Sequence, residues 1–126
     1  MSTKDDIEAQ VRSQRQHLDV LARIQADPLA QPEETEIDRD DPLGTWLSDD
    51  VLEQLTIIDC NGDFVGAELL LCVGGPGIRY DSRWGEITGH WGGETATAYV
   101  HSDTRDVIDG FLAEIFRMSN YRVASV

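Results

Sequence analysis

The residues best suited to nucleophilic chemistry are the two cysteines and two of the three histidines. A catalytic cysteine needs a histidine within hydrogen-bond reach, so Cys60 or Cys72 would have to meet His90 or His101 through the fold. Neither cysteine belongs to a CxxC pair, and the opening residues show no secretion signal, which favours two reduced thiols over a disulfide. We therefore predict a protein without enzymatic activity, and a cysteine-dependent enzyme stays an alternative that a thiol-reactive probe would test.

Three further patterns resemble ligand sites but lack residues that such sites need. The turn GGPG at 74–77 has neither the lysine nor the hydroxyl of a phosphate-binding loop. The stretch DCNGD at 59–63 lacks the closing glutamate of a calcium loop, and no histidine has a partner at zinc-site spacing. The carboxylates are too numerous for the sequence to single out a glycosidase pair. We therefore predict neither a metal nor a cofactor.

Acidic residues dominate the composition, with 24 Asp and Glu against 10 Lys and Arg and a formal net charge of -14. This charge argues against direct binding to nucleic acid or anionic lipid. No apolar run approaches the roughly 20 residues of a membrane-spanning helix, and no signal peptide begins the chain, so we expect a cytoplasmic protein. Residues 27–63 hold twelve acids against Arg39 alone, so most of the excess charge lies in one stretch.

Three interpretations of this acidic stretch remain open. A charge run is most often a solvated linker. A halophilic surface would fit the single lysine beside nine arginines, but the first 26 residues are neutral and halophilic acidity should cover the whole chain. The third is imitation of a phosphate backbone, since duplex DNA carries about one negative charge per 1.7 Å of its axis. The candidate partner-binding carboxylates are Glu33, Glu34, Glu36, Asp38, Asp40, Asp41, Asp49, Asp50 and Glu53.

Residues 4–26 are predicted to form a helix whose first turn is acidic, where the helix dipole favours carboxylates. Its apolar residues fall on one narrow stripe interrupted by glutamines, which favours packing against one neighbouring element. Either this stripe packs on its own domain or it forms a homodimer or partner contact. The stripe consists of Ile7, Val11, Leu18, Leu21 and Ala22.

Three of the four prolines and most of the acid run lie between 27 and 47, which indicates an extended linker. After it, Ser48 is positioned to cap a short helix, SDDVLEQL, with Asp49 and Asp50 in its first turn. We therefore expect an N-terminal helix at 1–26 and an acidic linker with a short helix at 27–54. Residues 55–126 complete a single domain.

Short strands joined by tight turns follow from Leu55 onwards. Asn61-Gly62 is the strongest hairpin signal, and the alternation in ETATAYV is typical of a half-buried strand. The turns are too short for helical crossovers, so we predict an antiparallel meander of four to five strands. A helix over about 103–118, capped by Asp103, presents a wide apolar face to the sheet. The predicted fold class is α+β, with a core made by the inner face of the sheet and Phe111, Leu112, Ile115 and Phe116.

Aromatic and basic residues surround one predicted hairpin. Trp, Tyr and Arg dominate binding hot spots, so an exposed Trp84 near Arg79 and Arg83 would suit a protein-binding surface. Trp91 is expected in the core. Trp84 therefore joins the candidate partner-binding residues.

The combination of small size, strong acidity, an α+β pattern and absent catalytic motifs resembles the small acidic anti-defence proteins of phages and mobile elements. These are anti-CRISPR and anti-restriction inhibitors, several of them DNA mimics. The acids at 33–41, then Asp49, Asp50 and Glu53, and the stretch GGPGIRYDSRWGEITGHWGG carry the resemblance. It implies a non-enzymatic inhibitor in the host cytoplasm that occupies the basic DNA-binding surface of a nuclease or surveillance complex. The alternative is a phage or bacterial assembly module, with a possible homodimer through the N-terminal helix.

Overall fold

The described residues, 3–27, 41–74 and 77–119, form three helices and a five-stranded antiparallel sheet in the computed structural model. The α+β class predicted from the sequence is confirmed. The helices are α1 (Thr3–Ala26), α2 (Pro42–Asp49) and α3 (Ser102–Met118). The strands are β1 (Glu53–Ile58), β2 (Phe64–Cys72), β3 (Gly77–Asp81), β4 (Glu86–Trp91) and β5 (Glu94–Tyr99).

The sheet is a meander in which each strand pairs with its neighbour in sequence, so β1 and β5 are its two edges. Tight turns set this order. Gly62, in the predicted Asn61-Gly62 turn, has a φ of 83°, and Gly92 and Gly93 between β4 and β5 have φ values of 59° and 82°. Glycine adopts these left-handed angles without steric cost, which allows the short reversals.

The helices lie against one face of the sheet and bury its alternate residues. Leu69, Tyr80 and Ile87 point to this face and are fully buried. α1 passes close to Gly89 on β4, because a Cβ built there would lie 2.7 Å from Cγ2 of Ile7 and 2.9 Å from Cγ2 of Val11. Every residue of the apolar stripe of α1 is at most 3% exposed. The stripe therefore packs within its own domain, and a dimer would have to use another surface.

The short helix was predicted at the wrong place. The structure has a helix at Pro42–Asp49 instead of 48–55, and the residues from Glu53 enter β1. Asp41 is its N-cap and accepts a hydrogen bond from the backbone N–H of Gly44 at 3.2 Å. Pro42 suits the first helical turn because its φ is already helical. Burial of Leu43 and Trp46, one turn apart, then fixes the helix on the core.

Three further expectations differ from the structure. Trp91 is 42% exposed rather than buried, because it lies two residues beyond Gly89 at the end of the sheet. On α3 the fully covered residues are Ile108 and Leu112, whereas Phe111, Ile115 and Phe116 are only half-buried. The cap of α3 is His101, whose Nδ1 accepts the backbone N–H of Asp103 at 3.3 Å, instead of Asp103 itself.

Tyr80 offers a test of the core. It is fully buried, and among the described residues its hydroxyl is the buried side-chain polar atom without a hydrogen-bond partner. Burial also raises the pKa of Tyr80 well above its ordinary value. A buried hydroxyl without a partner costs its desolvation, so Tyr80→Phe should raise the free energy of unfolding by about 1 kcal/mol in urea titrations. Tyr99→Phe is the control: its exposed hydroxyl donates to Glu86 at 3.1 Å, so its removal should not raise the free energy of unfolding. A loss of stability in Tyr80→Phe would show that the hydroxyl is bonded.

Candidate functional site

Five of the predicted partner-binding carboxylates lie outside the described residues: Glu33, Glu34, Glu36, Asp38 and Asp40. The next in sequence, Asp41, is exposed and caps α2 through its side chain, so its carboxylate has a structural role. Asp49 and Asp50 close α2, and Glu53 begins β1 three residues later. All three are exposed.

β1 contains no acid after Glu53, and the next carboxylates, Asp59 and Asp63, follow its other end. Beyond its far end, Asp59 folds back on the turn, where its Oδ1 accepts the backbone N–H groups of Asn61 at 2.9 Å and Asp63 at 3.0 Å. Asp63 itself is exposed. Glu53 and Asp59 are six residue steps apart along the extended chain, which is about 20 Å. We call Asp49, Asp50, Glu53 and Asp63 the acidic edge.

The acidic edge lies in a part of the chain without basic residues, and its carboxylates form no ion pair with a lysine or arginine of the described residues. Arginine ion pairs occur elsewhere, and they join Arg83 to Asp81 at 2.7 Å and to Glu68 at 3.6 Å, Arg105 to Asp106 at 3.4 Å and Arg117 to Glu114 at 2.6 Å. Within the described ranges, no lysine or arginine pairs with a carboxylate of the acidic edge. Residues 41–63 contain no lysine or arginine at all. The negative charge there faces solvent without compensation.

Trp84 lies in the turn between β3 and β4 and is 63% exposed. It borders a groove of about 500 Å³ between this turn and α3. The groove also contains half-exposed Val65 and both arginines of this region. Its lining residues are Val65, Ser82, Arg83, Trp84, Arg105, Asp106 and Asp109. The structure places Trp84 on a central turn of the sheet and Glu53 on an edge strand, so the two parts of the predicted site are separate surfaces.

Sequence analysis missed a row of carboxylates on the sheet face that the helices leave open. Glu68, Asp81 and Glu86 face one another across β2, β3 and β4. Arg83 binds both oxygens of Asp81, at 3.0 and 2.7 Å, and the hydrogen bond with Asp81 raises the pKa of its guanidinium. At the end of the row the hydroxyl of Tyr99 donates to Glu86 at 3.1 Å, and this bond raises the pKa of Tyr99. The alternation in IRYD and GEIT could have indicated this shared face.

Asp109 on α3 lines the groove beside Trp84 and is partly buried there. Burial raises its pKa, and a hydrogen bond from the hydroxyl of Ser82 at 3.3 Å opposes that shift. The folded protein therefore binds this proton more tightly than the unfolded chain. Ionisation of Asp109 costs stability as the pH rises from its ordinary pKa of 3.8 through its raised value.

Asp109→Asn keeps an acceptor oxygen for Ser82 and removes this ionisation. We expect the variant to gain stability relative to the wild type as the pH rises from 3 to 7, with the difference disappearing at the acid end. Urea unfolding at a series of pH values measures it. A difference that stays constant with pH would contradict the assigned cause.

The described residues give no indication of a metal centre or a membrane segment. They contain no group of three or more His, Cys, Asp or Glu side chains placed to hold a metal ion. Both cysteines are free, with Cys60 exposed and Cys72 partly buried. None of the described helices is both long and apolar enough to span a bilayer.

No protein-family model, curated protein or solved structure was found to match this chain. Its function therefore has to be argued from the charges and surfaces described above.

Proposed function

We propose that this protein is a non-enzymatic inhibitor whose acidic edge occupies the basic DNA-binding cleft of a host defence effector in the cytoplasm. The effector would belong to a CRISPR or restriction system. The observation that carries the proposal is that the exposed carboxylates Asp49, Asp50, Glu53 and Asp63 lie in a stretch, 41–63, without any lysine or arginine, and that none of them pairs with a lysine or arginine among the described residues.

Uncompensated like charges make folding less favourable, because they repel one another in the folded state. A cationic partner offsets that repulsion, because its positive charges attract the carboxylates. Arginines that grip DNA phosphates carry rigid pairs of N–H donors, and these fit carboxylates as well as phosphates. An array of carboxylates on an ordered strand edge and helix end can therefore occupy the same donors as a DNA backbone.

The acidic edge is also fixed in position by the helix and strand that carry it. Leu43 and Trp46 anchor α2 in the core, which positions Asp49 and Asp50 at its end. Glu53 is paired in register with Leu70 of β2. Charges that are already ordered lose less conformational entropy on binding than charges on a flexible chain.

A second candidate function is supported by Trp84. An exposed tryptophan beside arginines, over a groove with an exposed valine, is typical of a protein-binding hot spot. The protein would then be an interaction or assembly module, and the acidic residues would not contribute to partner binding. Trp84→Ala distinguishes the two, because it should disable the module and leave the acidic edge intact.

The test is a plating assay with phage on bacterial strains that each carry one DNA-targeting defence system. Expression of the wild-type chain should restore plating on at least one strain by several orders of magnitude. The triple variant Asp49→Asn, Asp50→Asn, Glu53→Gln should not restore it. The matched control is Glu8→Gln, Asp103→Asn, Glu114→Gln, which removes the same charge from exposed positions on α1 and α3 and should act like the wild type.

Two results would contradict the proposal. One is that phage plating is not restored on any strain, although expression of the chain is confirmed. The other is that the acidic-edge variant and the control lose the ability to restore plating equally, which would show that total charge matters and the position of the edge does not. Loss in Trp84→Ala alone would favour the module.

A further inference from the structure

The two edges of the sheet are protected to different degrees. The pairing of β1 with β2 contains a register shift at Ile57 and Ile58, and charged Glu53 and Asp59 flank the strand. Bulges and charges are how proteins prevent an edge strand from pairing with another chain. The pairing of β5 with β4 is regular throughout, and after the exposed Glu94 at its start, residues 95–99 contain no charge and no proline. The β5 edge therefore has no bulge, and it carries a charge at one end only.

The outer side of β5 presents a set of unused backbone groups. A two-residue turn joins β4 to β5, so Glu94, Ala96 and Ala98 exchange hydrogen bonds with β4. The bond from Val100 N–H to the Gly85 carbonyl, at 2.9 Å, continues this alternation. The backbone N–H and C=O groups of the intervening residues point away from the sheet. These residues are Thr95, Thr97 and Tyr99, and all three are exposed.

The α1 residues beside this edge carry more positive than negative charge. A groove of about 370 Å³ runs between β5 and α1, and Lys4, Glu8 and Arg12 line its helical side. Within the described residues, Lys4 and Arg12 form no ion pair with a neighbouring acid. Another copy with a formal charge of -14 would meet strong repulsion at the β1 edge. At the β5 edge each copy would present the same two cations and one acid, so the local charge on either side is small.

We propose that β5 is a dimerisation edge, at which β5 of a second copy pairs antiparallel to form one continuous ten-stranded sheet. A two-fold axis at Thr97 places Thr97 opposite its counterpart and Thr95 opposite Tyr99. In this register all three outward-facing residues form hydrogen-bonded pairs. Ala96 falls opposite Ala98 in the closer pairs that lack hydrogen bonds, where small side chains fit best.

Within residues 95–99 this register places no two like charges directly opposite each other, because the segment is uncharged. On the helical face the two α1 helices run side by side in opposite directions, and each contributes Lys4, Glu8 and Arg12 to the seam. An isologous pairing of this kind is closed, so it stops at the dimer instead of growing into a fibre. The proposal does not depend on the acidic edge, which lies at the two far ends of the joined sheet.

Sedimentation equilibrium of the full-length chain, over micromolar to submillimolar concentrations, tests the dimer. The wild type should approach twice the monomer mass and do so at lower concentration as salt increases, because salt screens repulsion between two strongly negative chains. Thr97→Lys should remain a monomer, since it places two ammonium groups on the two-fold axis. Thr97→Val keeps the β-branched side chain and should dimerise like the wild type. Unchanged far-UV circular dichroism and thermal unfolding at low concentration confirm that Thr97→Lys folds.

A cysteine trap tests the register independently of folding stability. In a Cys60→Ser background, Thr97→Cys should form a covalent dimer on mild oxidation, because Cα atoms in a hydrogen-bonded pair lie about 5.5 Å apart. Thr95→Cys should not, because Thr95 of the second copy lies opposite Tyr99, four residues or about 13 Å away along the strand. A monomer throughout the concentration range would overturn the proposal, as would equal crosslinking by Thr95→Cys.

Discussion

Neutralising the acidic edge with Asp49→Asn, Asp50→Asn and Glu53→Gln is expected to weaken binding to the defence effector by about 100-fold or more. A hydrogen bond to a charged group contributes about 1.5–3 kcal/mol, and loss of two such bonds already amounts to about 3 kcal/mol. Each 1.4 kcal/mol changes the dissociation constant by about tenfold. The amides keep an acceptor oxygen of nearly the same size. The loss would therefore report the charge and not the shape of the surface.

Isothermal titration or biolayer interferometry measures this change with the effector purified from the strain on which the wild-type chain restores phage plating. The control variant Glu8→Gln, Asp103→Asn, Glu114→Gln carries the same net charge and should bind within about threefold of the wild type, because distant exposed charges are largely screened. Equal weakening of both variants would mean that the effector senses overall charge. No weakening of the edge variant would exclude the acidic edge from the interface.

Removal of residues 1–26 is expected to abolish cooperative unfolding of the protein. α1 supplies six buried apolar residues to one side of the core: Ile7, Val11, Leu18, Leu21, Ala22 and Ile24. Full burial of a large apolar side chain contributes about 1.5–3 kcal/mol, so loss of five such residues is comparable to the whole stability of a small domain, about 5–15 kcal/mol. The truncated chain should show no sharp transition in thermal or urea unfolding. A cooperative transition would show that α1 is an appendage.

A matched pair of glycine substitutions tests the same packing in the full-length chain. Gly89→Ala should lower the free energy of unfolding by about 1–3 kcal/mol, because the added Cβ would meet Ile7 and Val11 of α1. Gly110→Ala, at an exposed position of α3, should raise the free energy of unfolding by up to about 1 kcal/mol, because nothing lies within 4 Å of the added Cβ and alanine favours the helix. Equal effects at the two positions would contradict the contact between α1 and β4.

Local signals in the sequence were sufficient for most of the fold. The Asn61-Gly62 turn, the alternation of β5 and the apolar stripe of α1 each predict their element, because hairpin chemistry and periodicity are local properties. The short helix was misplaced because Asp41-Pro42 and Ser48-Asp49 both carry helix-start signals. The choice between them depends on burial of Trp46, which is a tertiary contact. Exposure of Trp91 likewise depends on how far α1 extends over the sheet.

The candidate site was predictable in composition but not in arrangement. The sequence shows that residues 41–63 lack lysine and arginine, so the missing compensation of Asp49, Asp50 and Glu53 could be expected. Their separation from Trp84 depends on strand order. The arginine clamp on Asp81 and the unprotected β5 edge depend on which residues face each other across strands. Such pairings are long-range contacts that composition and spacing do not specify.

The most direct test of the account is competition between this protein and duplex DNA for the effector across a salt series. Fluorescence anisotropy of a labelled duplex, displaced by the wild-type chain at 50 to 300 mM NaCl, measures it. We expect complete displacement, with a chain–effector affinity that decreases by orders of magnitude over this range as screening increases. An effector that binds the chain and the duplex together, with an affinity for the chain that is the same at every salt concentration, would contradict the proposed mimicry.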